Sequence, residues 1–235
     1  MSRPQTWFLL AMATMLTGSL SGMVLAGGDA KAGPKPLPPD VVKAWQNKGA
    51  EVVWMRRLDW GVLGAFPENE RGAGSLPAFG FPGPRYRAGS PPMLFLAQVV
   101  LTGLPDPGVP FGLSLVSTQV TDEQLKELAG LKSLQSLSLG QTNVADMGLK
   151  ELAGLKNLQA LDLRSTQVTD AGMKELAVLK SLQWLSLSQT KVTDAGLKEL
   201  AGLKDLRSLD LQGTLVTDAG VAGLKKALPG CKIQR

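Results

Sequence analysis

The 235-residue chain has no histidine and a single cysteine, which removes Ser-His-Asp and Cys-His catalysis, histidine-ligated metals and any intramolecular disulfide. Its 25 basic and 20 acidic residues leave a net charge of +5, shared between residues 1–112 (10 against 7) and 113–235 (15 against 13). No basic run or Lys/Arg stripe along the chain suggests nucleic acid, and the glycine-rich stretches match neither a phosphate loop nor a dinucleotide fingerprint.

Residues 1–26 read as an export signal. Arg3 supplies a positive start, residues 7–26 carry no charge, and Val24-Leu25-Ala26 forms a small-x-small cleavage pattern before Gly27. A stretch of about twenty uncharged residues also has the length to span a bilayer, so an uncleaved anchor through residues 7–26 is the alternative. The Thr, Ser and Gly content of residues 14–22 dilutes the apolar stretch and favours cleavage. The expected location is therefore periplasmic or extracellular. No cysteine lies near the cleavage point, which argues against a lipoprotein.

Residues 27–39 form a linker rich in Gly, Pro and Lys. Asp40 is placed to cap a short helix ending near Lys48-Gly49, and EVVWMR (51–56) has the composition of a strand. Three of the five tryptophans, Trp45, Trp54 and Trp60, fall in this region, and clustered tryptophans are expected in a core. We read residues 40–112 as an N-terminal cap, because the first unit of a repeat array needs its apolar end shielded. Within it, residues 72–92 hold five Gly and five Pro and read as a loop. That loop exposes Arg85, Tyr86 and Arg87, a pattern suited to acidic partners or glycans.

From Leu113 onward the chain repeats every 24 residues, with copies opening at Leu113, Leu137, Leu161, Leu185 and Leu209. The frame is L-x-x-L-x-L-x-x-T-x-V, as in Leu134, Leu137, Leu139, Thr142 and Val144. In each copy the L-x-L pair alternates at period two, as a short strand with one buried face requires. Leu149, Leu152 and Leu155 recur at period three, as one or two helical turns require. The intervening V-T-D or V-A-D offers a Thr or Asp cap for the helix start. The Asp also precedes a Lys by four residues in four copies (Asp122/Lys126, Asp146/Lys150, Asp170/Lys174, Asp194/Lys198), a helix-stabilising spacing. Gly130, Gly154 and Gly202 stand where a left-handed helix stop is expected, with Val178 in that place in the third copy. The threonine column (Thr118, Thr142, Thr166, Thr190, Thr214) is expected to bond the backbone where the chain leaves each strand. Five repeats thus span residues 113–226. Residues 227–235 close the array, with Cys231 and Ile233 turned inward on a last strand, 22 residues after Leu209 and Leu211.

The copies of T-x-V-T-D-A-G-L-K-E-L-A-G-L-K-x-L, for example Thr190 to Leu206, resemble the leucine-rich-repeat family. The likeness is to the exported leucine-rich-repeat proteins abundant in planctomycete-type bacteria and, more loosely, to the Cys-containing repeats of eukaryotic F-box adaptors. The resemblance implies an α/β, right-handed leucine-rich-repeat solenoid, with short parallel strands on the concave side and short helices on the convex side. It also implies a protein-interaction fold without family-wide catalytic residues or cofactors.

The expected function is accordingly a non-enzymatic scaffold binding a protein partner through the concave face, with no cofactor and no metal. The alternative is a structural or glycan-binding protein of the cell envelope. On that face most outward strand positions are small and polar. Trp184 stands apart, since alternation with Leu185 and Leu187 turns it away from the core, where it is expected as an exposed anchor. Arg164 and Asp162 on one neighbouring strand, and Asp210 and Gln212 on the other, complete the candidate partner site. Asp162 and Asp210 could also be read as a paired-acid hydrolase site, but no recurring cleft supports that reading.

Overall fold

The computed structural model describes residues 34–57, 63–67, 75–81 and 99–235. The expected export signal, most of the 27–39 linker, Trp60 and the Arg85–Arg87 triplet lie outside the described residues. Residues 34–235 form one unit built around a nine-stranded sheet.

Six of these strands stack parallel in chain order: β4 (Phe111–Ser114), β5 (Leu134–Ser138), β6 (Ala160–Asp162), β7 (Trp184–Ser186), β8 (Ser208–Asp210) and β9 (Lys232–Gln234). Their register is the 24-residue period itself, running Leu113, Leu137, Leu161, Leu185, Leu209, Ile233. Ile233 therefore stands opposite Leu209, two positions away from the alignment that the 22-residue spacing suggested. Cys231 is buried before the strand begins.

Behind the sheet lie the helical segments of the five copies. The first is a 3-10 helix (Glu123–Gly130), followed by α2 (Asp146–Leu152), α3 (Asp170–Leu176), α4 (Asp194–Glu199) with a short 3-10 extension, and α5 (Asp218–Ala227). Between sheet and helices one apolar core runs from Leu37 to Cys231, with the leucines of every repeat at or near zero exposure. A single copy has no closed interior, so this burial exists only because neighbours stack.

The threonine column does what its chemistry requires. Each hydroxyl donates to the carbonyl three residues back, as Thr166 Oγ1 does to Leu163 at 2.6 Å, and the other four match it at 2.6–2.7 Å. The residue before each threonine makes the turn in the left-handed region: Ser117, Gln141, Ser165 and Gln189 at φ 52–58° and Gly213 at 69°. Gly130, Gly154 and Gly202, expected there, are not left-handed. The helix ends are finished by short backbone turns, as at Leu155 N to the Leu152 carbonyl (2.9 Å), and by a lysine from the preceding copy. Lys132 Nζ reaches the Gly154 carbonyl at 3.3 Å and Lys180 Nζ the Gly202 carbonyl at 3.4 Å. A Cβ on Gly154 or Gly202 would crowd that ammonium at 3.1–3.2 Å, which gives glycine a role there without a positive φ.

The capping aspartates also act across copies. Asp146 accepts from the backbone N and the hydroxyl of Thr169 in the next repeat (2.8 and 2.6 Å), Asp170 does the same at Thr193, and Asp194 at Thr217. Asp122 accepts from Ala145 N, where the copy reads V-A-D and offers no hydroxyl. Thr169, Thr193 and Thr217 then cap their own helices. With their carboxylates directed to the next repeat, none of the four expected Asp/Lys pairs closes to a salt bridge. Ion pairs do form at Arg164–Asp162 and Arg235–Asp218.

The N-terminal part is built differently. Helix α1 (Pro39–Gln46) begins on Pro38 with no side-chain cap, so Asp40 sits in its first turn without the expected capping bond. Strand β1 (Glu51–Arg57) pairs antiparallel with β2 (Leu63–Phe66) and with β3 (Leu76–Gly80), and β3 joins β4 in parallel. Residues 76–80, expected within a loop, are thus a strand. The Leu-Pro-Ala-Phe-Gly run pairs on both edges and places Phe79 in the core, which outweighs its local Gly and Pro content. Trp45 stacks on Phe79 at 4.2 Å between ring centres and meets Phe111 edge-on at 6.0 Å. Trp54 is buried as well, so both described tryptophans of this region are core residues.

Candidate functional site

The face of the sheet turned away from the leucine core carries the residues that flank each inward leucine. Asp162 follows Leu161 and Asp210 follows Leu209, so both carboxylates lie on that face, two strands apart with Ser186 of β7 in the same register between them. Each is held the same way. Ser138 Oγ donates to Asp162 Oδ2 at 3.0 Å and the backbone N of Arg164 to Oδ1 at 3.1 Å; Ser186 Oγ and the backbone N of Gln212 serve Asp210, both at 3.1 Å. A cation accompanies Asp162 only, with Arg164 Nε 3.4 Å from Oδ2. The Arg164 side chain crosses Gly140, where a Cβ would stand 3.0 Å from its Cγ and Nε. Glycine in one copy thus leaves room for the arginine of the next. Gln212 is exposed and Arg164 half-buried.

Both acids are buried, Asp162 at 0% and Asp210 at 7% exposure, contrary to the open surface expected of them. Burial pushes the Asp162 carboxyl above its usual range, against the opposing pull of Arg164 and its hydrogen bonds, and the charge of Asp210 adds to the rise. A carboxyl whose pKa rises on folding stabilises the fold in its neutral form. That contribution is complete below the unfolded value near 3.8 and is lost as pH climbs through the raised folded value. Asp162→Asn should therefore raise the melting temperature at pH 7 and give no gain near pH 3. A melting temperature lowered equally at both pH values would show that Asp162 matters through its hydrogen bonds alone.

Trp184 departs most from expectation. It does point away from the leucine core, as alternation requires, but it is only 2% exposed and is not a free surface anchor. With Met55 and Ala78 it forms a second, small apolar cluster, against which Val53 and Ala160 pack. The reason lies in its register column, Ala78, Gly112, Ser136, Ala160, Trp184, where every neighbour towards the N-terminus is small. These leave a trough wide enough for an indole, and Met55 of β1 closes over Gly112, where a Cβ would meet its sulfur at 2.8 Å. The indole N–H has no acceptor among the described residues. The run of small residues beside a single tryptophan was the signal in the sequence that could have predicted this burial.

Of the five candidate residues, the structure therefore leaves Arg164 and Gln212 within reach of a partner. It sets Asp162 and Asp210 beneath them as supports and Trp184 alongside as a packed wall. Each acid accepts from a serine hydroxyl and a backbone amide. Among the described residues no His, Cys, Asp or Glu cluster has metal-binding geometry. Burial holds the Cys231 thiol at a pKa of about 11, so it stays protonated and inert at neutral pH. A groove of about 410 Å³ between α4 and α5, bounded by Leu197 and Leu224, lies on the helix side, away from these residues.

One strand, one threonine-closed turn and one short helix in every 24 residues, stacked in register, coincide with the family model named Leucine Rich repeat, which matches residues 154–177. The repeats are leucine-rich repeats. Similar solved structures are also leucine-rich-repeat proteins. Internalin C2 of Listeria monocytogenes is 31% identical over 57% of this chain and 53% of its own, with a TM-score of 0.46. A leucine-rich-repeat protein of Leptospira interrogans is 27% identical over 54% of this chain and 29% of its own, at 0.42. The ectodomain of the receptor kinase SOBIR1 of Arabidopsis thaliana is 19% identical over 54% and 68%, at 0.38. The chain spans about half the length of the internalin it matches. No curated protein matches the chain by sequence. Leucine-rich repeats commonly act as protein-interaction scaffolds, because a solenoid displays a broad, regular surface.

Proposed function

We propose that this protein is an exported, non-enzymatic scaffold that binds a protein partner through the sheet face of its leucine-rich repeats. The observation that carries the reading is the half-buried Arg164, laid over Gly140 and paired with the buried Asp162. An arginine already paired in this way loses less entropy on binding, and arginine is among the side chains that most often anchor interfaces. Gln212, held two strands away above Asp210, offers a second polar contact on the same face. Export rests on the residue 1–26 pattern. Among the described residues no helix is long and apolar enough to cross a membrane.

The test is quantitative binding to a partner recovered from envelope extract. Arg164→Ala should weaken the complex by about 2 kcal/mol or more. Because the buried Asp162 loses its cation, the variant should also melt earlier at pH 7, and binding is compared well below its melting transition. Gln212→Ala should have a smaller effect of the same sign. A partner bound equally well by both variants would place the contact elsewhere. Turnover of a glycan, ester or peptide substrate that disappears in Asp162→Asn or Asp210→Asn would overturn the non-enzymatic reading.

A further inference from the structure

Charge that is spread thinly along the sequence is sorted by stacking. Lys132, Lys156, Lys180 and Lys204 are 24 residues apart and enter β5, β6, β7 and β8 at equivalent points. Successive copies are therefore about one strand spacing apart, ~4.8 Å. All four are exposed. Three are steered by the next copy, with Lys132, Lys180 and Lys204 Nζ at 3.3, 3.4 and 3.2 Å from the carbonyls of Gly154, Gly202 and Ala227. Arg207 is exposed in the place of Gln135, Gln159 and Gln183. The segments LKSLQ, LKNLQ, LKSLQ and LKDLR thus bring five bases and one acid, Asp205, to a single edge. With Asp106, which accepts from Ser133 N beside Lys132 at 2.8 Å, that edge is net +3 in a chain whose total is +5. The helical segments between residues 123 and 227 carry the opposite balance, nine acids against six bases.

We propose that this edge of the solenoid binds a linear anionic polysaccharide, on a surface separate from the sheet face. A single file of ammonium groups at constant spacing suits a polymer that carries carboxylate or sulfate at regular intervals. The glutamines between the lysines add amide donors and acceptors for sugar hydroxyls. The four segments contain no aromatic side chain, so they lack the stacking platform that single-stranded nucleic acid uses. Their leucines are buried, so they offer no apolar wedge to a bilayer.

Elution of the full chain from heparin-agarose with salt, followed by affinity measurement with heparin in solution, tests the proposal. The native protein should be retained at about 0.15 M ionic strength. Changing Lys132, Lys156, Lys180 and Lys204 together to Gln should weaken binding by about tenfold or more. It should also lower the salt dependence by about one per lysine removed. Changing Lys126, Lys150, Lys174 and Lys198 on the helices to Gln alters the net charge equally and should leave retention close to native. Melting temperatures check each fold, and the pairs Lys156/Lys180 and Lys150/Lys174 repeat the comparison where a quadruple variant melts early. Equal losses in both sets, failure of the native protein to bind, or tighter binding to duplex DNA or anionic vesicles than to heparin would overturn the proposal.

Discussion

Gly196→Ala is expected to destabilise the protein by about 2–3 kcal/mol, although helix propensity alone favours alanine by up to about 1 kcal/mol. Gly196 lies in the first turn of α4, directly under the Asp170 carboxylate that holds Thr193. A Cβ there would collide with Asp170 Oδ1, stand 2.8 Å from Met173 Cγ and come within 2.9 Å of the Asp170 Cα. The last of these is backbone and cannot swing aside. Gly148, Gly172 and Gly220 stand under Asp122, Asp146 and Asp194 in the same way, so Asp and Gly form one lock between successive repeats. Gly223 in α5 has no atom within 4 Å of an added Cβ, so Gly223→Ala should stabilise by about 0.5–1 kcal/mol. Adding Asp170→Ala to Gly196→Ala should cost less than the two single losses together, since the first removes part of the clash created by the second. Urea unfolding midpoints of the four proteins decide the matter. A gain in stability for Gly196→Ala would mean that the repeats can separate at this point without loss.

Trp45→Ala should cost about 3–5 kcal/mol, the largest loss expected from any single truncation here. Its ring is fully buried, stacked on Phe79 of β3 and set edge-on to Phe111 of β4. Its indole N–H donates to the Pro105 carbonyl at 3.0 Å. One side chain thus joins helix α1, the antiparallel strands and the first strand of the repeat array. Its loss would leave a large cavity and a buried carbonyl without a donor. Because repeat arrays unfold from unprotected ends, the variant should also lose cooperativity, seen as a smaller denaturant slope. A loss below about 1 kcal/mol would show that the residues before Phe111 do not shield the first repeat.

The legible parts of this protein are those that depend on periodicity. Five copies in phase specify which leucines face the core, where each strand and helix falls and that the copies stack. The threonine hydroxyl finds its acceptor three residues away, in the same copy, so its role could be read from one repeat. Cys231 could be placed in the core from its apolar surroundings, although the register of the last strand differed from the spacing first counted.

What the tertiary structure alone decided concerns partners that are a full repeat away or in the other part of the chain. Asp146 was legible as a cap, but a local reading assigns it to its own helix and to Lys150. Only stacking brings Thr169 closer to it than Lys150. The left-handed turn falls on Ser and Gln, because hydrogen bonds such as Ser165 Oγ to Gln189 Oε1 at 2.9 Å, one copy on, hold it there without glycine. Residues 76–80 became a strand because β1 and β4 offered hydrogen-bonding edges on either side, an opportunity that local Gly and Pro content does not reveal. Trp184 was given its direction by alternation and its burial by the small residues of the copies before it and by Met55, more than a hundred positions upstream. The lysine edge has the same origin: residues 24 apart are unrelated along the chain and adjacent once the repeats stack. Sequence periodicity determines which side a residue faces, whereas the residue it meets there depends on the neighbouring copy.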